Sequence, residues 1–347
     1  MAQAPAAPPD SIVLNQFTGL RNTVTRERLG PADLYQGKDV DLDDAGQLRR
    51  RRGRTKVGTG SFHSLYEGTE KTLVVKDGVL CRLWPNYTTT ALLTGAGDWP
   101  VSYVPVGPDI YFASEVISGI LGTNDTVSPW GYVSAEGTWL SPVVTPTDTL
   151  HPVAGKLLGP PPMATALTCF NGRIYLASGR TLWATELYLY SYVDRTKNYL
   201  YFEDDITALG MVDDGIYVGT QSAVWFLSGP FGQMKRTPAA VAGVLPRSMV
   251  VVPRGALSPE VAGNAPTSQQ DVVMFMTNHG MCVGLNGGAV VNLTMGKVDF
   301  PYAVSASAVY RQQDSIHQYV AVADSGGTPS STARIGDYVD AEIIRHR

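Results

Sequence analysis

The residues of this chain able to do chemistry are scattered. Its five histidines, His63, His151, His279, His317 and His346, show no His-x-x-x-His or other metal-ligand spacing. Gly58-Thr59-Gly60 and Gly95-Ala96-Gly97 lack the following Lys-Ser/Thr, and the strand-to-helix setting, of a phosphate loop. No Gly-x-Ser-x-Gly elbow precedes a helix. Acids offer more: Glu203, Asp204 and Asp205 form one run, and Asp213 and Asp214 follow. Glycoside cleavage needs two carboxylates with separate roles, and these could be recruited. Acidic turns in solvent are the simpler reading of the same residues. No catalytic residue, cofactor or metal ligand is assigned, and a non-enzyme is expected.

One segment concentrates charge. Asp39-Val40-Asp41-Leu42-Asp43 alternates polar and apolar at the period of a half-buried strand. Asp44-Ala45-Gly46 supplies a turn, and the return strand carries Arg49, Arg50, Arg51, Arg52, Arg54 and Lys56. The alternating aspartates approach a calcium loop, but the glycine is misplaced and the later Glu is missing. Consecutive strand residues point to opposite faces, so four arginines in a row leave neither face apolar. The ribbon must be an edge or a projection, meeting either solvent or an acidic partner. These six residues are the candidate interaction site.

The elements that must position it repeat. Residues 165–185 read as strand, Asn171-Gly172 turn, strand, Ser178-Gly179 turn and a strand with Trp183, and the pattern returns over 206–229. Gly172 to Ser178 aligns with Asp214 to Thr220, and Leu182-Trp183 with Val224-Trp225. Fainter copies centre on Val74, Tyr111, Phe275 and Tyr319. With Tyr175 and Tyr217, these anchors span 245 residues in five intervals, a mean of 49. That is close to the roughly 40–50 residues of a four-stranded propeller blade. The expected fold is all-β, a β-propeller of about five or six blades with an N-terminal arm and a closing hairpin whose strand pairs into the last blade. An irregular β-sandwich is the alternative. The Trp-Asp and Gly-His marks of WD40 repeats are absent. Ser134-Ala135-Glu136-Gly137-Thr138-Trp139 approaches a sialidase Asp-box, but it is one residue short, has Glu for Asp and occurs once.

The predicted division is 1–60 for the arm and Arg-rich hairpin and 61–347 for the propeller. Leu187 to Phe202 reads as an aromatic hairpin turning near Asp194–Asn198. Its rings serve cross-strand packing or a stacking surface for sugars or bases. Pro253 to Gln270 is a polar insertion, and a strand is expected over Tyr338 to Ile344.

Composition agrees with a turn-rich β protein: 36 glycines and 23 prolines, 44% hydrophobic residues, and 17% charged against about 25% on average. A net charge of -4 offers no general attraction to nucleic acid or an anionic membrane. Cys81, Cys169 and Cys282 are odd in number and lie in apolar strand patterns, so they read as core residues of a chain folded in a reducing compartment. The start, MAQAPAAPPDS, lacks a basic and an apolar region, so no secretory leader is expected. No apolar run is long enough to span a membrane.

Phe17-Thr18-Gly19-Leu20-Arg21-Asn22-Thr23-Val24, the Asp39–Asp43 strand and Gly46-Gln47-Leu48 through Thr55 together resemble the opening of a family of tailed-bacteriophage virion proteins. That opening runs Phe-x-Gly-(Leu/Ile)-Asn-(Asn/Thr), Asn-Val-Asp-(Val/Ile)-Asp and Gly-x-Leu-x-x-Arg-Pro-Gly. Here Arg21 and Lys38 depart from it, and Arg52 replaces its proline. Asn171-Gly172-Arg173-Ile174-Tyr175, with Ala177-Ser178-Gly179 and Trp183, is similar to the family's blade core. The resemblance covers residues 12–60 and 165–230, more thinly the remaining blades. It implies a β-propeller component of a tail nozzle, hub or tail-tip ring in the virion, made in the host cytoplasm. The implied partners are other tail proteins and further copies of the chain, with a passing contact to double-stranded DNA. A receptor-binding or glycan-processing propeller at the tail tip is the alternative.

Overall fold

In the computed structural model, the described residues are 16–38, 40–42, 46–50, 55–130, 132–133, 139–140, 156–253, 270–313, 316–324 and 340–342. Local turn chemistry sets the strand pairs. Asn171 and Gly172 adopt φ of 47° and 70°, the left-handed pair that a two-residue hairpin turn needs. They join Ala166–Phe170 to Arg173–Ser178, and Asp77-Gly78 does the same between Thr72–Lys76 and Val79–Leu83.

Such hairpins extend into six successive antiparallel sheets among the described residues. Blade 1 runs Phe62–Glu67, Thr72–Lys76, Val79–Leu83, Thr89–Thr94. Blade 2 runs Ser102–Val106, Asp109–Ala113, Ser118–Leu121, Val127–Ser128. Blade 3 uses Ala166–Phe170, Arg173–Ser178, Thr181–Ala184 and, after an insertion, Tyr199–Tyr201. Blade 4 holds Ile206–Val212, Gly215–Thr220, Val224–Ser228, Lys235–Ala240. Blade 5 holds Val250–Val252, Val272–Thr277, Gly280–Gly284, Val290–Asn292. Blade 6 pairs Ser305–Gln313 with Ile316–Asp324 and adds Asp340–Glu342.

The middle of each blade's second strand is apolar on consecutive positions because both its faces are covered. In blade 3, Ile174 and Leu176 meet Val104 and Tyr111 of blade 2, while Tyr175 and Ala177 meet Leu209 and Val218 of blade 4. The other seams follow the same alternation: Leu73 and Val75 against Ile110 and Phe112, Tyr217 against Phe275, and Met274 and Met276 against Tyr319 and Ala321. The first strands of blades 2 to 6 lie beside one another in succession. Serial antiparallel meanders, five of four strands and one of three among the described residues, packed face to face with first strands innermost, form a β-propeller. All six sequence anchors fall in second strands, each with no more than 7% of its surface exposed.

Two expectations need correction. The closing hairpin forms, Val40–Leu42 against Leu48–Arg50, but its strands pair with each other. Among the described residues the third strand of blade 6 is Asp340–Glu342, from the other end of the chain. Residues 187–202 do not form one hairpin: Val193–Asp194 pairs with Leu158–Gly159, while Tyr199–Tyr201 joins Thr181–Ala184. Asp194 makes that split, its carboxylate accepting from the Thr196 N–H (3.0 Å) and hydroxyl (2.6 Å), which tightens the turn between the two arms. The Pro253–Gln270 insertion lies almost wholly outside the described residues.

Candidate interaction surface

The chain before blade 1 builds its own small unit. Gly19–Leu20 and Asp33–Leu34 form a short parallel ladder. Asp33 organises it: Thr18 Oγ1 donates to its carboxylate at 2.6 Å, and Arg21 Nη1 lies 3.4 Å away. The Thr18 hydrogen bond, helped by Gly30 N–H and Arg21, holds the Asp33 carboxyl below its ordinary 3.8 despite some desolvation. Phe17 N–H donates to the Gly46 carbonyl at 2.7 Å, which ties the hairpin to this ladder. A side chain at Gly46, where φ is 76°, would strike the Phe17 backbone at 2.9 Å. Two residues of the sequence resemblance thus meet for a steric reason. Arg26 lies over the Tyr35 ring at 4.6 Å.

On the hairpin, Asp41 stands opposite Arg49 and Val40 opposite Arg50, so no carboxylate faces Arg50 across the ladder. Arg49, Arg50 and Lys56 are exposed, as the strand argument requires. Arg51, Arg52 and Arg54 lie outside the described residues. The unit's charge is opposite to that of the body. Residues 16–60 carry ten Lys or Arg against six Asp or Glu, a net +4. Residues 61–347 carry 17 against 24, a net -7, and Asp10 completes the total of -4.

The unit is fastened to the blades by a clasp that sequence reasoning missed. Asn22 N–H donates to the Lys297 carbonyl at 3.0 Å, and Asn22 Nδ2 to the Asp299 carbonyl at 3.0 Å. Asp299 N–H donates back to Asn22 Oδ1 at 2.7 Å, and Thr23 Oγ1 donates to the Gly296 carbonyl at 2.9 Å. The Asn22 amide therefore imitates a strand edge toward the connection between blades 5 and 6. Its partner lies 277 positions away, so no local pattern announces it.

The other candidates are dispersed. Glu203, Asp204 and Asp205 precede the first strand of blade 4, and Asp213 and Asp214 follow it. Seven residues of strand separate the two groups by about 20 Å, beyond the roughly 5–9.5 Å of paired glycosidase carboxylates. Asp204 is bonded by the Ser222 hydroxyl, Asp205 lies 3.7 Å from Arg180, and Asp214 accepts from Gly287 N–H at 2.8 Å. Gly60 packs against the Asp77 carboxylate, and the Gly97 carbonyl lies 3.1 Å from His63 Nε2, so these glycines serve the blade 1 turns. The 134–138 part of the Asp-box-like stretch lies outside the described residues. Among the aromatics of 187–202, Tyr199 packs cross-strand on Trp183 at 5.5 Å. No group of three or more His, Cys, Asp or Glu gathers among the described residues. No helix among them is long and apolar enough to cross a membrane.

No family model and no curated protein matches the chain. Among solved structures it is similar to the computationally designed Ika8 protein, at 12% identity over 77% of this chain and 70% of that one, with a TM-score of 0.39. It is similar to the WD40 domain of Pan2 from Neurospora crassa, at 12% identity over 76% and 73%, TM-score 0.42. For the N-terminal domain of Nup159 the values are 7%, 76%, 73% and 0.43. The architecture rests on the chain's own strand order and seam packing.

Proposed function

We propose that this chain is a structural subunit of a bacteriophage tail. Several copies would form a nozzle, hub or tail-tip ring around the DNA exit channel, acting through protein–protein contacts and without catalysis. The observation that carries the reading is the N-terminal unit. The residues resembling the virion family, from Phe17 to Val24 and from Gly46 onward, make a basic module distinct from the blades, with Arg50 presented to solvent. A module of +4 on a body of -7 suits copies that meet end to end, since opposite potentials steer association. Duplex DNA in the channel would also attract the ribbon, but every added phosphate contact strengthens a salt-sensitive grip. Such a grip opposes ejection, so the ribbon is assigned to a subunit contact. Converting Arg50 and Arg52 to Glu should block tail assembly while leaving the monomer folded. Normal particles with altered DNA release would move the ribbon to the lumen, and normal particles with normal release would remove its role.

The tail-tip receptor or glycan reading draws on Tyr199 and Tyr201, 45% and 61% exposed on the outer strand of blade 3, near Arg180 and Asp205. Specific signals on a glycan array, lost in Tyr201→Ala, would favour it.

A further inference from the structure

We propose that the N-terminal unit docks in trans: in the assembly, the Asn22–Thr23 clasp of one copy closes on residues 296–299 of the next. The inference rests on the ring reading only in requiring that copies associate. Its basis is the kind of contact the clasp makes. Among the described residues the hydrogen bonds that fasten the unit to the blades run through Asn22 and Thr23. No described residue before Tyr66 belongs to any of the five seam clusters. Releasing the unit therefore uncovers no shared apolar core, and re-forming the same bonds on a neighbour restores what was lost.

The connection permits the exchange. Residues 55–60 are exposed and outside regular structure. The chain from Arg50 to Phe62 can span roughly 40 Å at full extension, enough to carry the unit to an adjacent copy. Exchange of an identical element between copies is a low-cost route to an oligomer. Charge selects a second copy as the partner, because the +4 unit leaves its own -7 body for another. The dock also has surface to offer: Met295 and Tyr302, in the same connection, are 77% and 71% exposed with the unit in place.

The test is a cysteine cross-link in the full chain. Copies bearing Thr23→Cys with one tag and Lys297→Cys with another are co-expressed and oxidised. A double variant checks that the pair can bond; the native Cys81 and Cys282 are buried, and the half-buried Cys169 is replaced by serine in every variant. The expected result is a covalent species containing both tags, with assembly reduced severalfold in Asn22→Ala at unchanged far-ultraviolet circular dichroism. No species containing both tags, with internal bonds in the double variant inside an assembly that still holds several copies, would overturn the exchange and leave the ring reading standing. Internal bonds in a monomer would overturn both. No bond even in the double variant would show that the clasp is not made in solution, and would overturn the proposal as well.

Discussion

The Tyr217 hydroxyl of blade 4 reaches the Leu285 carbonyl of the adjoining blade 5 turn at 2.5 Å and lies 2.9 Å from the Ala289 carbonyl. The ring fills the seam between the two blades, and its one polar atom closes on the neighbour's backbone. Tyr319 repeats the device from blade 6, donating to the Ser248 carbonyl at 2.6 Å. Tyr175 occupies the same place in blade 3 but meets only the Met234 sulfur, at 3.9 Å. The repeated tyrosine is thus a bolt between blades whose strength depends on what the next turn presents.

Tyr217→Phe keeps the packing and removes the hydroxyl's hydrogen bond, while the Leu285 and Ala289 carbonyls keep the Gly288 and Leu285 N–H groups, so it should cost about 0.5–1.5 kcal/mol. Tyr175→Phe should cost well under 1 kcal/mol, since a thioether is a weak acceptor. Urea titrations of the two variants decide this. Equal losses would mean that ring packing alone holds the seams.

Lys71 and Asp125 tie blade 1 to blade 2. Lys71 Nζ, its side chain 6% exposed, lies 2.7 Å from Asp125 Oδ1 and donates to the Gly122 and Thr123 carbonyls. Arg82 meets the same carboxylate at 2.5 Å. Asp125→Ala leaves two cations facing each other, one of them buried, and should destabilise by about 3 kcal/mol or more. A melting temperature equal to wild type would contradict this account.

Acid should act through these same carboxylates. Desolvation pushes the Asp125 carboxyl up, but hydrogen bonds from Lys71 and Arg82 outweigh it and hold it below 3.8. Thr18 does this for Asp33. A lowered folded value means the unfolded state binds more protons, so stability is full above 3.8 and falls as pH drops below it. Melts recorded between pH 6 and pH 3 should be flat at first and then decline, less steeply in Asp125→Ala.

Alkali should act through buried acids of the opposite sense. Burial raises the Cys282 thiol from 9.0 to about 11 and the Tyr111 phenol from 10.0 to about 12. The folded state then keeps protons that the unfolded state loses, so stability falls once pH exceeds 9. At neutral pH Cys282 should resist thiol reagents until the chain unfolds. Rapid labelling of the native protein would contradict its placement in the seam of blades 4 and 5.

The blades were legible because their cause is local. An Asn-Gly or Asp-Gly turn, followed by a strand apolar on both faces, can only sit in a sheet covered on both sides. Six anchors chosen from that pattern all landed in second strands. The candidate surface was legible in part: a run of arginines announces exposure, and Arg49 and Arg50 of it are exposed. Their neighbours were not legible, because Asn22 finds Asp299 across 277 positions. The arms of residues 187–202 were misjoined for a similar reason. The partner of Val193–Asp194 is Leu158–Gly159, on the far side of blade 3 in sequence.

Because no described residue of the arm belongs to a seam cluster, deleting residues 1–50 should lower the melting temperature of the body by only a few degrees. A cooperative loss of the whole fold would instead mean that the arm completes the propeller.

The central claim, that copies of this chain form a ring through a basic N-terminal unit, is tested most directly by negative-stain imaging of the purified full-length protein. Closed rings of several copies are predicted for wild type, and single propellers for the Arg50→Glu, Arg52→Glu variant. Single propellers for both, at concentrations where the protein is folded, would contradict the account.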